Sequence, residues 1–437
     1  MSEYTDDTIA SLPEAGGTFL LYPYLKGEQG LDPDARLEET EGLAEAIGLD
    51  VVGYATAPLP KINASTFIGK GRISDLKQQY DALEVKLVIM DCALSPIQQR
   101  NLEKAWDLKV IDRTGLILEI FGERAQTREG VLQVELAHLE YQKTRLVRAW
   151  THLERQRGGF GFMGGPGERQ IESDRRALRD RIAAIKLQLD KVSRTRGLHR
   201  KSRGAVPYPI VALVGYTNAG KSTLFNRMTG ADVVARDRLF ETLDPTMRAI
   251  ELESGRKVIM SDTVGFISQL PHELIAAFRA TLEEVLEADL ILHVRDAANP
   301  DTERQKRDVM AVLANLGVDA DTSPMIEVMN KADQLDQNQR DQLTGQAERR
   351  DDMVLISALT GEGCDRLEAS LEKFMSAADT EYGYRLPYSA GEATNWLYQN
   401  AKVTGREDLD DGSILRVQMN TRLKGKFEKM FRVFPIS

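Results

Sequence analysis

The residues Val211-Ala212-Leu213-Val214-Gly215-Tyr216-Thr217-Asn218-Ala219-Gly220-Lys221-Ser222 decide the fold. Four apolar residues in a row suit a strand buried on both faces. The next eight match G-x-x-x-x-G-K-S/T, and Thr223 to Met228 follow as a helix, which is the strand, loop, helix context that the pattern needs. Glycines let the backbone curl so that successive N–H groups point inward at phosphate oxygens. The helix N-terminus adds its positive end. Lys221 supplies a mobile point charge for β- and γ-phosphates, and the Ser222 hydroxyl is sized for Mg²⁺. The segment therefore implies an α/β P-loop domain with a mostly parallel sheet.

Two later motifs fall in the order that such a domain requires. Asp262-Thr263-Val264-Gly265 follows the strand Lys257-Val258-Ile259-Met260. An Asp at that strand end holds Mg²⁺ through water, and the Gly265 N–H approaches the γ-phosphate. Asn330-Lys331-Ala332-Asp333 follows the strand Met325-Ile326-Glu327-Val328-Met329. The Asp333 carboxylate accepts from the N1–H and 2-amino groups of guanine. Adenine offers neither donor, and the unpaired carboxylate makes a discrimination on the order of 10⁴-fold. Lys331 lies over the base. In Ser357-Ala358-Leu359, after the next strand, a backbone N–H reads guanine O6.

Between the first two motifs lies Phe240-Glu241-Thr242-Leu243-Asp244-Pro245-Thr246. A nucleotide switch needs one threonine here, ordered on Mg²⁺ and the γ-phosphate. Thr242 and Thr246 both carry the hydroxyl, and spacing does not choose between them. Phe266 stands where many GTPases place a glutamine to orient the attacking water. Phenylalanine cannot do so, which leaves the catalytic group unassigned. Asn218 presents an amide oxygen to a monovalent cation such as K⁺ beside the phosphates, and reads equally as a polar turn residue.

The flanks of this domain have their own patterns. Strand and helix alternate before residue 115: Thr18 to Leu21, Val51 to Ala55, Leu87 to Met90 and Lys109 to Ile111 read as strands. Leu37 to Ile47 and a segment from Pro96 read as helices. That is a small α/β domain. Leu132, Leu136, Leu139, Leu146, Trp150 and Leu153 then form a heptad seam, which resumes at Ile171, Leu178, Ile182, Ile185, Leu189 and Val192. Arg157 to Gly167, too rich in glycine for a helix, separates the halves. The pattern is an antiparallel helical hairpin with a glycine-rich finger. Residues 141 to 203 carry a net charge of +11, whereas the whole 437-residue chain carries −10. Basic charge gathered at one place draws a phosphate-rich partner, and Phe160 and Phe162 on the finger suit stacking on bases. Expected domains are thus 1–115 (α/β), 116–204 (hairpin), 205–376 (P-loop domain) and 377–437 (a small α/β domain holding the strand Ile414 to Met419).

Composition excludes several classes. Apolar residues make up 42% and charged residues 28%, so the chain is globular. There is no apolar run of a membrane span's length, and the acidic start Met1 to Asp7 is no secretory signal. Cys92 and Cys364, far apart, form no metal pattern and suit a reducing cytoplasm.

Gly215 to Asn226, Phe240 to Thr246, and Ser261 to Ile267 with Leu270-Pro271 resemble the HflX family of ribosome-associated GTPases. So do Phe67-Ile68-Gly69-Lys70-Gly71 and the finger from Arg157 to Glu168. The resemblance implies cytoplasmic GTP hydrolysis stimulated by ribosomes. It also implies binding to the large subunit and its RNA through the helical hairpin, and splitting or rescue of stalled ribosomes under stress. The expected state is a monomer. The resemblance favours Thr242 over Thr246 for the metal, beside Ser222, and makes Asn218 a candidate K⁺ ligand. Arg295, after an apolar strand, and Met163 and Arg169, near the finger, depart from the family pattern. Two other functions fit the motifs: a GTPase of transfer RNA modification, and a protein-regulatory switch without RNA. Gly69-Lys70-Gly71-Arg72 also raises a second nucleotide site, although such turns are mostly structural.

Overall fold

Strands β1 (Gly17–Leu25), β2 (Val51–Leu59), β3 (Val85–Met90) and β4 (Lys109–Asp112) form a four-stranded sheet in the order β2-β1-β3-β4, with every pair parallel. The computed structural model describes residues 16–27, 32–156, 166–203, 208–230, 240, 246–268, 284–318, 323–377, 379–419 and 421–436. Parallel strands need crossovers, and helices α1 (Pro33–Ala46), α2 (Lys70–Ala82) and α3 (Pro96–Trp106) supply them. Ser95 and Gln98 close a capping box at the start of α3, with Pro96 in the first turn. Phe19, Tyr80 and Trp106 meet edge to face in the core. The glycine–lysine stretch is the start of α2: Gly69 is its N-cap, at an ordinary φ of −74°. A fourth helix, α4 (Arg113–Arg124), follows β4 directly, capped by the Asp112 carboxylate.

The hairpin consists of α5 (Arg128–Gln156) and α6 (Pro166–Arg203). Its base is held by Leu132, Leu136, Ile182 and Ile185, with Leu139 and Leu189 packed against them. Pairs Arg181–Glu135 and Lys186–Glu140 flank this seam. Helix α6 begins at Pro166, so Pro166 and Gly167 are helical rather than finger. The correction has a simple cause: proline is well suited to a helix's first position. Residues 157–165 of the finger, and the side chains of Leu146, Trp150, Leu153, Arg169 and Ile171, lie outside the described residues.

Among the described residues the P-loop domain has six strands, β5 (Ile210–Gly215), β6 (Thr246–Glu251), β7 (Lys257–Asp262), β8 (Leu290–Asp296), β9 (Met325–Asn330) and β10 (Met353–Leu355). Their order is β10-β9-β8-β5-β7-β6, and only β6 pairs antiparallel, with β7. Helices α7 (Lys221–Thr229), α8 (Thr302–Leu316), α9 (Gln337–Ala347) and α10 (Cys364–Ala377) accompany them. Val211, Leu213, Leu292 and Val328 fill the core with Phe225 and Leu371. The last part holds β11 (Thr380–Pro387), α11 (Gly391–Asn400), β12 (Lys402–Leu409), β13 (Gly412–Met419) and α12 (Thr421–Phe431). Its sheet is antiparallel, in the order β11-β13-β12. The strand expected at Ile414 to Met419 is the central one. Two compact units result: one built on the chain to Val192 and including Phe240, the other on the P-loop and C-terminal parts. Among the described residues, no helix is long and apolar enough to cross a membrane.

Candidate functional site

Strand β5 has β7 on one side and β8 on the other, so the chain turns away from β5 in both directions. Such a switch point, at the carboxyl ends of parallel strands, is where open α/β sheets bind ligands. The loop Gly215 to Gly220 leaves β5 there. Asn218 is exposed and left-handed, at φ 58°, a conformation that Asn tolerates. Gly220 is left-handed too, at φ 88°, and a Cβ on it would lie 2.2 Å from Nδ2 of Asn330. Only glycine lets the two segments approach so closely.

Lys221 is buried, and its ammonium donates to the Tyr216 carbonyl at 2.8 Å. Burial pushes its pKa down to about 8, against the pull of Asp262. A buried lysine that folds back on its own loop, with no ion pair at hydrogen-bond distance among the described residues, is prepared for an anion. The next residue, Ser222, donates from Oγ to Asp262 Oδ2 at 2.8 Å. A hydroxyl and a carboxylate side by side at a phosphate loop are hard oxygen donors, the kind that Mg²⁺ takes directly or through water. The residues present therefore fit the ion.

The Asp262 segment is fastened to the P-loop by main-chain bonds. The Thr217 N–H donates to the Phe266 carbonyl at 2.7 Å, and the Phe266 N–H to the Gly215 carbonyl at 3.1 Å. The Tyr216 hydroxyl accepts from the Ser268 N–H. Phe266 itself is buried, 2% exposed, so its ring is part of this joint rather than a group that faces a nucleotide's water.

The Asn330 segment closes the other side. The Asn330 amide donates to the Ala219 carbonyl at 2.8 Å, while its oxygen accepts from the Ala358 N–H, also at 2.8 Å. One side chain thus links the P-loop to the Ser357–Leu359 loop. Asp333 accepts from the Ser357 hydroxyl at 2.5 Å. Lys331, left-handed at φ 66°, pairs with Asp296 at 2.8 Å. Asp296, the last residue of β8, carries no signal in the sequence beyond ending a strand.

The sequence candidates are therefore brought together from four strand ends: Gly215 to Ser222, Asp262 to Gly265, Asn330 to Asp333, and Ser357 to Leu359. The Phe240 to Asp244 segment is different. Phe240, left-handed at φ 56°, is 2% exposed, and its ring stands edge-on to Phe121 at 4.7 Å within the first unit. Glu241, Thr242, Leu243 and Asp244 lie outside the described residues. Thr246 opens β6, opposite Asp262 in the ladder. Arg295 is buried and paired with Glu303 and Glu327, a structural role.

Four family models match the chain in succession. They are described as GTP-binding GTPase N-terminal (residues 34–122), GTP-binding GTPase middle region (124–203), 50S ribosome-binding GTPase (210–331) and HflX C-terminal domain (342–432). The GTPase HflX of Magnetococcus marinus is 48% identical over 395 residues, 90% of each chain. That of Escherichia coli is 45% identical over 388 residues, covering 88% of this chain and 89% of its own. Among solved structures, a GTP-binding protein of Sulfolobus solfataricus in complex with GDP is 23% identical. It covers 82% of this chain and 98% of that one, with a TM-score of 0.44.

Proposed function

The chain belongs to the HflX family of GTPases, and on that premise we propose that it hydrolyses GTP with Mg²⁺ on the large ribosomal subunit, splitting or rescuing stalled ribosomes in the cytoplasm. One observation carries the nucleotide half of this reading. The Asn330 side chain bonds the phosphate loop and the Ser357–Leu359 loop at once, which sets a phosphate-binding loop beside the loop expected to read a base, as a nucleotide requires.

In this reading the N–H groups of Gly215 to Ser222 wrap the phosphates, with Tyr216, Thr217, Asn218, Ala219 and Gly220 forming the curl. Lys221 exchanges the Tyr216 carbonyl for the β- and γ-oxygens. Ser222 and Thr242 hold Mg²⁺, and Asp262 reaches it through water. The metal supplies neutralisation of charge on the phosphates. Gly265 offers its N–H to the γ-phosphate. Asp333, held by Ser357, reads the N1–H and 2-amino edge, and Lys331 covers the base. Phe266 is fixed in the joint to the P-loop, so water is oriented by a group other than a side chain at this position. Asn218, exposed at the loop's turn, takes K⁺, which adds positive charge beside the phosphates.

The ribosomal half rests on the hairpin's net charge of +11 and on the family model described as 50S ribosome-binding. We assign residues 1–115, 116–204, 205–376 and 377–437 as the working parts, the second meeting RNA, in a chain that acts as a monomer. Sedimentation with purified ribosomal subunits tests this in GTP analogue, GDP and no nucleotide, across a salt series, with hydrolysis followed in KCl and NaCl. Binding should be strongest with the analogue and fall steeply with salt, as counterion release requires. Changing Arg155, Arg157 and Arg169 to Ala should weaken binding and flatten the salt slope while basal hydrolysis survives. Normal binding by that triple variant at every salt concentration would remove the RNA contact, and equal rates in the two salts would remove K⁺.

A further inference from the structure

Helix α7 begins at Lys221, at the end of the phosphate loop, and is nine residues long. In its last turn Arg227 faces the Ser357–Gly361 loop. Its Nε donates to the Ala358 carbonyl at 2.6 Å and its Nη2 to the Leu359 carbonyl at 2.5 Å. Two parallel N–H groups of one rigid fork thus hold two successive carbonyls, a geometry that guanidinium provides and an ammonium does not. Gly361 lies against the same group: left-handed at φ 94°, it would place a Cβ 2.6 Å from Nη1. The loop is gripped on its other side as well, through the Ala358 N–H by Asn330 and through the Ser357 hydroxyl on Asp333.

The peptide bond translates this grip into direction. A trans peptide is planar, with its C=O and N–H pointing opposite ways. Fixing the Ala358 carbonyl toward Arg227 therefore turns the Leu359 N–H away from Arg227, as a preset donor. The Ala358 N–H is already shared with Asn330.

We propose that Arg227 is a positioning residue for base discrimination: by holding the Ala358 carbonyl, with the Leu359 carbonyl beside it, it aims the Leu359 N–H at O6 of a purine, and it makes that reading part of the helix that carries Lys221. The proposal rests on the guanine reading above and adds a residue that neither touches the base nor belongs to a nucleotide motif.

Three diphosphates separate the contributions. GDP has O6, N1–H and the 2-amino group, IDP has O6 and N1–H, and the 2-aminopurine riboside diphosphate has the 2-amino group without O6 or N1–H. Arg227→Ala should weaken GDP and IDP by about tenfold each, the loss of one well-placed hydrogen bond, and leave the 2-aminopurine analogue within twofold. Arg227→Lys, with one donor nitrogen in place of the two of the fork, should fall between. Thermal melting of each variant without nucleotide checks the fold, and Arg227→Lys carries the measurement if the alanine variant does not fold. Equal weakening of all three ligands would mean that Arg227 merely stiffens the domain, and unchanged affinities would mean that it does nothing; either overturns the proposal. If the unmutated protein does not prefer GDP to the 2-aminopurine analogue, the guanine reading itself falls, and the inference falls with it.

Discussion

At the carboxyl end of β5 the chain leaves the sheet as a glycine-rich loop; at the carboxyl end of β3 it leaves as Asp91, and two arginines fill the crevice. The two sheets are otherwise alike. Strand β1, like β5, has neighbours reached in opposite directions, with β2 on one side and β3 on the other, so the first unit has a switch point of its own. There Asp91 binds Arg36 at 2.5 Å and Arg113 at 2.8 Å, and Glu39 takes the other faces of both arginines. Arg36 lies over the Tyr22 ring. Burial alone would raise the Asp91 pKa, but Arg113 and Arg36 outweigh it and the net shift is downward. Next to this cluster Asp112 accepts from the N–H groups of Gly115 and Leu94, from the Tyr141 hydroxyl and from Arg145. The last two belong to α5, so this crevice anchors the hairpin. The same topology thus makes a cradle where the loop is glycine and a sealed joint where it is charged. Architecture provides the place, and side chains decide what occupies it.

The comparison breaks most sharply at the base. Asp333→Asn should cost GTP on the order of 10³- to 10⁴-fold in affinity while improving xanthosine triphosphate, whose edge accepts where guanine donates. Competition binding measures both, and unchanged GTP affinity in a folded variant would contradict the cradle. The sealed joint should show the opposite profile. Asp91→Ala leaves two buried guanidinium groups short of their shared partner, a loss of about 3–5 kcal/mol. Urea unfolding should show it in the first unit's transition, with GDP affinity unchanged. A weakened nucleotide site and an unmoved transition would reverse the roles assigned to the two crevices.

The smallest effect is one of pH. The Lys221 pKa is about 8 without nucleotide, and phosphates beside it must raise that value. A group whose bound-state pKa exceeds its free-state pKa gives its full contribution below the free value and loses it above. GDP affinity should therefore be flat to about pH 7, about halved at pH 8 and lower by about tenfold at pH 9. Isothermal titration at pH 7, 8 and 9 checks this, and a flat profile would mean that Lys221 stays charged in the empty site.

Much of the cradle was legible because its chemistry is local. A loop that wraps phosphates must place its glycines, lysine and serine within eight consecutive residues, so Gly215 to Ser222 announce themselves. The Asp262 and Asn330 motifs do the same because each must end a strand. The lower heptad seam was readable for a similar reason: Leu132, Leu136, Ile182 and Ile185 recur at helical spacing, and that spacing alone puts them on one face. Less was visible of β2, which continues to Leu59, and of β11 and β12, whose mixed residues show little alternation.

The sequence by itself determined the P-loop domain, the order of its motifs, the residues proposed to read a guanine nucleotide and the charge of the hairpin. All of these are properties of short segments or of sums. Only the tertiary structure decided the partnerships across segments. Arg36 meets Asp91 55 residues away, Arg227 reaches Ala358 131 residues away, and Arg295 finds Glu327 on the neighbouring strand. The physical reason is register. Which charged side chain faces which depends on how strands align and helices pack, and a one-residue slip of β8 against β9 would turn Arg295 to the face opposite Glu327.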